Sequence, residues 1–284
     1  MRALIIGGGG LKGSYDAGVL TALLKKLGNK YFDAIYMSSV GSFTGTFYAA
    51  NQIETIENTW RNYVYGDQLI NCLNPLKGKK LLNNEYLIDM FRDGKSKLDI
   101  KTVFSSGVKL NYVIENLETC KAEYVEPNSN NIFELMLAAC AVPIIYGPVK
   151  VGDNIYIDGG LFNPLPIQKA LDDGYKEIVV IYNRTKEYHN GVLEKSVIWL
   201  MSLFFSSHMR KKIIEAENAR KLANKKLKSE NVVLISPSTP ITTTNFNRRK
   251  SVININFDLG LKDGYAAISK ILKLTTWLLV YLYY

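Results

Sequence analysis

Ser39 lies at the junction of a strand-like and a helix-like segment, where a serine hydroxyl could act as a nucleophile. The surrounding stretch, FDAIYMSSVGSFTG, covers residues 32–45. In a Gly-x-Ser-x-Gly elbow the serine sits at a strained, exposed bend, and the flanking glycines avoid crowding. Gly41 occupies the second glycine position, but Met37 occupies the first. The stretch therefore fits either a nucleophile elbow that lacks one glycine or an ordinary turn serine.

A second turn that could do chemistry is the glycine-rich run GGGGLKGS, Gly7 to Ser14. Glycines let the backbone approach a ligand, and the N-terminus of a following helix favours an anion. Gly8, Gly10 and Gly13 also match the Gly-x-Gly-x-x-Gly fingerprint of dinucleotide-binding proteins. That fingerprint needs an acidic residue at the end of the second strand, whereas Asp33 precedes that strand. Nucleotide binding is therefore the weaker interpretation of this turn.

The third turn, YIDGG, places Asp158 at the end of an apolar run and directly before Gly159 and Gly160. A carboxylate held at a strand end can face a site and accept a proton. An Asx-type turn without a chemical role is the alternative.

The elements around these turns alternate between strands and helices, as judged from apolar runs and from apolar residues at helical spacing. Strands are predicted at residues 3–6, 32–37, 107–119, 122–125, 177–183 and 231–236, and another begins at residue 154. Helices are predicted at residues 14–29, 41–52 and 131–143. This alternation predicts an α/β fold with a covered parallel sheet and functional turns at the carboxyl ends of its strands.

The composition is that of a globular chain with one large core. A length of 284 residues with 47% hydrophobic residues fits a single α/β domain. Cys72, Cys120 and Cys140 form no CxxC pair, which favours a reduced, cytoplasmic compartment. The two histidines and the unclustered carboxylates offer no metal-ligand spacing, so we expect no metal and no cofactor.

The formal net charge of +9 would suit an anionic partner, although charge alone does not decide whether there is one. Basic clusters occur at residues 77–80, 209–212, 225–228 and 248–250. Such clusters suit an anionic lipid surface or a nucleic acid, although each could simply be a solvated surface. The sequence contains no nucleic-acid-binding module, so we expect no nucleic-acid partner.

Taken together, the three turns resemble the patatin-like phospholipase family. Its motifs run in the order Gly-Gly-Gly-x-Arg/Lys-Gly, Gly-x-Ser-x-Gly and Asp-Gly-Ala/Gly. Here they stand as GGGLKG at 8–13, MSSVG at 37–41 and DGG at 158–160. The segment ACAVPIIYGPV at 139–149 is similar to a further family segment.

The resemblance covers residues 1–270, with the strongest motifs within 1–165. It implies a single domain with a three-layer α/β/α fold around a mostly parallel central sheet. Residues 271–284 would then form an apolar C-terminal tail, which is too short to span a bilayer.

The resemblance also implies a lipid acyl hydrolase, a phospholipase A or esterase that acts in lipid metabolism or degradation through a covalent acyl-enzyme. Ser39 would be the nucleophile and Asp158 its base, in a Ser-Asp dyad. The remaining site residues would be the oxyanion-hole residues Gly8, Gly9, Gly10, Lys12 and Gly13, the elbow residues Met37 and Gly41, and the base-turn residues Gly159 and Gly160.

A lipid substrate implies contact with an interface. The stretch SVIWLMSLFF at 196–205 and the tail are aromatic and apolar, so peripheral membrane contact is expected, with burial in the core as the alternative. Two other functions stay open: a catalytically silent lipid-binding relative and a nucleotide-binding α/β protein.

Overall fold

The computed structural model describes residues 1–71, 73–184, 211, 223, 225–241 and 247–281, with side chains described to residue 274. The strands are β1 (Arg2–Ile6), β2 (Ala34–Ser38), β3 (Lys109–Asn116), β4 (Lys121–Val125), β5 (Val149–Val151), β6 (Asn154–Asp158), β7 (Glu177–Ile181) and β8 (Val232–Ile235). The helices are α1 (Gly13–Leu27), α2 (Gly41–Ala49), α3 (Ile53–Asn62), α4 (Asn84–Arg92), α5 (Ile100–Ser105), α6 (Ile132–Ala139), α7 (Ile167–Asp172) and α8 (Lys250–Tyr281).

The strands described form one sheet in the order β5-β6-β3-β2-β1-β7-β8, and β4 pairs with β3 outside this path. Strands β3, β2, β1, β7 and β8 run parallel to their neighbours in that order. Strands β4, β5 and β6 pair in antiparallel fashion. The predicted α/β fold with a mostly parallel central sheet is therefore confirmed.

Strand β1 shows why the sheet carries helices on both faces. Side chains alternate along a strand, so Leu4 and Ile6 enter one core while Ala3 and Ile5 enter the other. The first core also contains residues of α1, α2, α3 and α8, namely Leu20, Phe47, Trp60 and Phe257. The second core contains Ile167 and Ala170 of α7. The three layers are thus helix, sheet and helix.

Helices α1 and α8 pack at backbone distance. A Cβ placed on Gly18 would lie 2.0 Å from the carbonyl oxygen of Phe257, and one placed on Gly260 would lie 2.0 Å from that of Tyr15. Ile271 is also buried, at 1% exposure. The predicted boundary between residues 270 and 271 therefore falls inside a continuous helix, and the separate tail stays a prediction.

Two segments expected to contact a membrane or an anionic partner fall largely outside the described residues. These are the apolar stretch at 196–205 and the basic cluster at 209–212, of which only Lys211 is described. Among the helices described here, none combines the length and apolar character needed to cross a membrane.

Candidate active site

The candidate site forms where strands β2 and β6 meet. Both strands pair with the same edge of β3, while β4 pairs with its other edge. In this register Ser38 faces Val113, and Asp158 faces Ile114. Because β2 is parallel to β3 and β6 is antiparallel, their carboxyl ends converge from opposite directions. The sheet therefore brings Asp158 next to the turn that follows Ser38.

Ser39 occupies a strained bend in that turn. Its φ of 52° is left-handed, which is uncommon for a residue with a side chain. The carbonyl of Ser39 accepts a hydrogen bond from the N–H of Ser42 at 2.9 Å, and α2 begins at Gly41. A Cβ on Gly41 would lie 2.8 Å from the Ile6 side chain and 3.1 Å from its carbonyl. Close backbone packing thus explains the glycine after the elbow.

Met37 does not need to be a glycine in this elbow because its side chain packs elsewhere. Met37 is fully buried and belongs to the core between the sheet and α2. A Cβ on Gly45 would lie 2.6 Å from the sulfur of Met37. Gly45 therefore makes the space that the methionine occupies, one helical turn beyond Gly41.

The glycine-rich loop lies directly against Ser39. A Cβ on Gly8 would lie 2.7 Å from the Cβ of Ser39 and 3.5 Å from its hydroxyl oxygen. Within the described residues, the backbone N–H groups of Gly8 and Gly9 donate no hydrogen bond. Backbone N–H groups in a loop that packs against a serine are the kind of donor that an oxyanion hole requires.

The rest of the loop leads from this position into α1. Gly10 is exposed and has a φ of 55°, and the N–H of Lys12 donates to the carbonyl of Gly9 at 3.2 Å. Gly13 is buried, and a Cβ there would lie 2.7 Å from the side chain of Val40. The loop and the elbow therefore pack together at both Gly8 and Gly13.

Asp158 is a buried carboxyl, only 2% exposed. Its Oδ1 accepts a hydrogen bond from the N–H of Gly160 at 2.8 Å. Burial raises the pKa of Asp158 to about 7, against the smaller lowering effects of the Ser39 hydroxyl and the Gly160 N–H. A pKa near neutrality suits a general base.

The hydroxyl of Ser39 is near enough to Asp158 to influence the pKa of that carboxyl. That influence has the direction expected of a hydrogen bond to the charged carboxylate, because it lowers the pKa. In many active sites the bond between nucleophile and base is long before substrate binds and shortens afterwards.

The base turn is held against β3. A Cβ on Gly159 would lie 2.8 Å from the backbone at Val113 and Ile114, so only glycine fits. A Cβ on Gly160 would lie 3.1 Å from the Cβ of Ser38. The structure thus brings the elbow, the glycine-rich loop and the base turn into one site.

Comparison with known proteins identifies the family. The profile described as patatin-like phospholipase matches residues 4–171, more than half of the chain. The chain belongs to the patatin-like phospholipase family. The matched segment contains all three turns of the candidate site.

Relatives of this family member include two curated proteins. YjjU, an uncharacterized protein of Escherichia coli K12, is 26% identical over 63% of this chain and 51% of its own length. The protein described as probable lipid hydrolase 463L, from invertebrate iridescent virus 6, is 25% identical over 71% of this chain and 69% of its own length. This chain therefore spans about half of YjjU and two thirds of 463L.

A solved structure shows the same fold. The crystal structure of VipD from Legionella pneumophila superposes with a TM-score of 0.54 at 14% identity. The superposition covers 95% of this chain and 67% of the VipD chain.

The family motifs do not include two side chains that hold the glycine-rich loop. Asn183 follows β7 and is 1% exposed. Its Nδ2 donates to the carbonyl of Gly8 at 3.3 Å and to Asp16 at 2.6 Å. Asp16 is equally buried in the first turn of α1, and burial raises its pKa. Sequence reasoning missed both residues because neither belongs to a recognisable spacing.

A third missed residue is Cys140, at the end of α6. Its sulfur lies 3.8 Å from the hydroxyl of Ser42 and also interacts with Ser39. Burial, followed by the charge of Asp158, raises the pKa of this thiol, so it stays protonated. The next carbonyl, that of Ala141, accepts the N–H of Asp158 at 3.1 Å. In the sequence, this segment stands out only by its similarity to the family.

A small apolar cavity begins beside the elbow. It has a volume of about 10 Å³ and is lined by residues that include Val40, Phe43, Phe47, Trp60, Leu87 and Phe91. The lining is chemically suited to a hydrocarbon chain, but the side chains would have to move to admit one.

Proposed function

We propose that this protein is a lipid acyl hydrolase that cleaves carboxylic esters with Ser39 as nucleophile and Asp158 as general base. The observation that carries the proposal is the meeting of these two residues at the converging ends of β2 and β6. Family membership supports the same reaction class. The name of the viral relative, probable lipid hydrolase, also favours a lipid ester as substrate.

In the first half of the reaction, the Oγ of Ser39 attacks the ester carbonyl carbon while Asp158 takes the hydroxyl proton. The carbonyl oxygen becomes an oxyanion, which the N–H groups of the loop at Gly8, Gly9 and Gly10 would stabilise. The intermediate then breaks its bond to the alcohol, and Asp158 returns the proton to that leaving group. Ser39 is left acylated.

In the second half, a water molecule gives a proton to Asp158 and attacks the acyl carbon. Collapse of the second intermediate releases the fatty acid, and the proton returns to Ser39. A carboxyl with a pKa of about 7 can hold a proton briefly in both halves, because it is neither a strong acid nor permanently protonated near neutrality.

The silent-relative alternative rests on the missing first glycine of the elbow. The packing of Met37 against Gly45 weakens that argument, because the methionine occupies space away from Ser39. The strained φ of Ser39 is also retained, as expected of a turn that presents a nucleophile. These contacts favour an active hydrolase.

The nucleotide alternative has less support from the same loop. Gly8 and Gly9 are accounted for by close packing, because an added Cβ would lie 2.7 Å from Ser39 at Gly8 and 2.6 Å from Asn183 at Gly9. Asp33 lies just before β2, where it accepts a hydrogen bond from the backbone of Arg2 at 2.6 Å. That position is at the edge of the sheet opposite the glycine-rich loop.

The test is labelling with a fluorophosphonate probe, followed by mass-spectrometric mapping of the modified residue. We expect one labelled site, Ser39, and loss of labelling in Ser39→Ala and in Asp158→Asn. Labelling of another serine, or no labelling of folded protein that also fails to hydrolyse short-chain esters, would contradict the proposal.

A further inference from the structure

Two neighbouring loops beside the candidate site expose apolar side chains. The first, which we call the lysine loop, covers residues 73–82, and the second covers residues 143–147. Leu73 and Leu76 of the lysine loop are 60% and 84% exposed, and Ile144 of the second loop is 57% exposed. The two loops are joined by a hydrogen bond from the N–H of Leu82 to the carbonyl of Ile145 at 3.0 Å.

The exposure of the leucines is built into the lysine loop. The side-chain amide of Asn74 donates to the backbone carbonyl of Lys80 at 3.1 Å. The backbone carbonyl of Asn74 accepts hydrogen bonds from the N–H groups of Lys77 and Lys79. The loop is closed at its base by a β-bridge between Ile70 and Leu82. These bonds fix a turn that holds its apolar side chains in solvent.

The exposure of Ile144 is more costly. Its φ of 71° is left-handed, and a β-branched residue is a genuine outlier there. A strained backbone that places an apolar side chain in water is unfavourable for the free protein on both counts. Such strain is a sign of function when the surrounding structure maintains it.

The lysine loop contains three lysines, at positions 77, 79 and 80. Lys77 and Lys79 are exposed, and neither forms an ion pair with any described residue. Lys80 contacts Glu85 at 2.9 Å and lies 3.8 Å from the centre of the Tyr146 ring. Glu85 is thus already paired, which leaves two lysines of the loop for an external anion.

The loops are connected to the candidate site by a short chain of contacts. Asn84, at the start of α4 and two residues after the lysine loop, donates to the carbonyl of Cys140 at 3.2 Å. The next carbonyl, that of Ala141, accepts the N–H of Asp158. A surface that docked these loops would therefore lie beside the residues that we propose for ester cleavage.

We propose that residues 73–82 and Ile144 form the docking surface for an anionic lipid bilayer. Leu73, Leu76 and Ile144 enter the headgroup boundary, while Lys77 and Lys79 contact lipid phosphates. The inference rests on the proposed function for its choice of a lipid surface. Apolar side chains next to exposed lysines match the two attractions that hold peripheral proteins to anionic membranes.

The test measures binding of the full chain to vesicles by co-sedimentation, in a Ser39→Ala background so that no lipid is consumed. The vesicles are phosphatidylcholine alone or phosphatidylcholine with phosphatidylglycerol, at low and physiological salt. We expect preference for the anionic vesicles and weaker binding as salt rises. Equal partition onto both vesicle types at each salt concentration, or no binding to either, would overturn the proposal.

Three sets of substitutions locate the surface. Lys77→Gln with Lys79→Gln should weaken anionic binding by about fivefold for each lysine. Leu73→Ser with Leu76→Ser should weaken binding to a similar or greater degree. Ile144→Asn should also weaken it by at least about fivefold while keeping or raising thermal stability, because asparagine tolerates the left-handed conformation.

Matched controls lie elsewhere on the chain. Lys109 and Lys176 are exposed lysines at the amino ends of β3 and β7, the opposite edge of the parallel sheet. Ile255 of α8 has the same exposed fraction as Ile144, 57%. Lys109→Gln with Lys176→Gln, and Ile255→Asn, should leave binding unchanged. Equal losses in loop and control variants, or no loss in any loop variant, would overturn the assignment of the surface.

Turnover of a soluble short-chain ester, measured with Ser39 restored, separates this inference from the proposed function. The loop variants should hydrolyse that ester at the parent rate. Vesicle binding without ester turnover would leave the docking surface in place and remove the hydrolase. Ester turnover without vesicle binding would leave the hydrolase in place and remove the docking surface.

Discussion

Ser38 and Asp158 lie opposite consecutive residues of β3, Val113 and Ile114, on the same edge of that strand. The two strands that carry them run towards each other and stop at this point. The turns that we propose for the nucleophile and the base, more than a hundred residues apart in sequence, are therefore positioned by backbone pairing with a third strand. No loop has to move to bring the two turns together. This suits a site that must be rigid before substrate arrives.

The first prediction concerns the nucleophile. Ser39→Ala should lower ester turnover by about 10³-fold or more, because the alanine side chain cannot form an acyl-enzyme. Ser38→Ala, one residue earlier, should keep most of the activity. Ser38 is buried, and its hydroxyl donates a long hydrogen bond of 3.5 Å to the carbonyl of Asn163. Both are measured as kcat on a short-chain ester, with circular dichroism to confirm folding. Comparable activity in Ser39→Ala and the parent would remove the nucleophile assignment.

The second prediction is a pH profile. Asp158 must be deprotonated to accept the Ser39 proton, and burial raises its pKa to about 7. We therefore expect kcat/KM to rise with pH through about 7 and to level off above it. A profile that is flat between pH 5 and 8, or one that rises near pH 4, would mean that Asp158 is not the base.

The third prediction links the same carboxyl to stability. The folded protein retains the Asp158 proton up to about pH 7, whereas the unfolded chain loses it near the ordinary value of 3.8. The unfolded state therefore binds fewer protons between these values, so the contribution of Asp158 to stability is complete below pH 4 and declines as pH rises towards 7. Asp158→Asn removes this loss.

Thermal unfolding of Asp158→Asn and of the parent at two pH values measures this pH-dependent loss of stability. At pH 8 the variant should melt at a higher temperature than the parent while its ester turnover is lost. At pH 4 the two melting temperatures should be similar. Asp173→Asn is the control, because the pKa of Asp173 is shifted in the opposite direction. Burial raises that pKa, but hydrogen bonds from Lys169 and Tyr36 and the nearby lysine charges together lower it below the ordinary value. Lower stability of Asp158→Asn at both pH values would contradict the prediction.

The fourth prediction concerns Met37 and Gly45. Met37→Ala should destabilise the protein by about 2–5 kcal/mol, because it leaves a cavity in the core. Gly45→Ala should also destabilise it, since the new Cβ would lie 2.6 Å from the Met37 sulfur. The double variant removes that clash, so its loss should be smaller than the sum of the single losses. Denaturant unfolding of the four proteins measures the coupling, and simple additivity would show that the two residues do not share this space.

Much of the fold can be predicted from the sequence because its strands are short apolar runs bounded by turns. The predictions at 177–183 and 231–236 correspond to β7 and β8, and the buried residues of β1 reflect a strand covered on both faces. The antiparallel direction of β6 could not be predicted in this way. Strand direction depends on pairing with β3, which lies some forty residues earlier, and no local pattern specifies it.

The candidate site is predictable where close packing requires glycine, and less so elsewhere. At Gly8, Gly41 and Gly159 an added Cβ would lie less than 3 Å from a neighbouring atom, and this requirement leaves a visible glycine in the sequence. The space that the Met37 side chain occupies depends on Gly45, which lies inside a helix and belongs to no motif. Asn183 is equally invisible, because its role arises from the pairing of β7 with β1.

The last prediction tests whether Asn183 positions the glycine-rich loop. Its amide donates to the carbonyl of Gly8 and to buried Asp16, so its removal should let the loop move relative to Ser39. Displaced oxyanion donors weaken binding of the transition state more than that of the substrate. Asn183→Ala should therefore lower kcat by about tenfold to 10²-fold with little change in KM.

Asn256→Ala is the control, because Asn256 is also 1% exposed but lies in α8. That variant should lose stability while keeping kcat. Equal effects of the two substitutions on kcat, after correction for the folded fraction, would show that Asn183 has only a structural role.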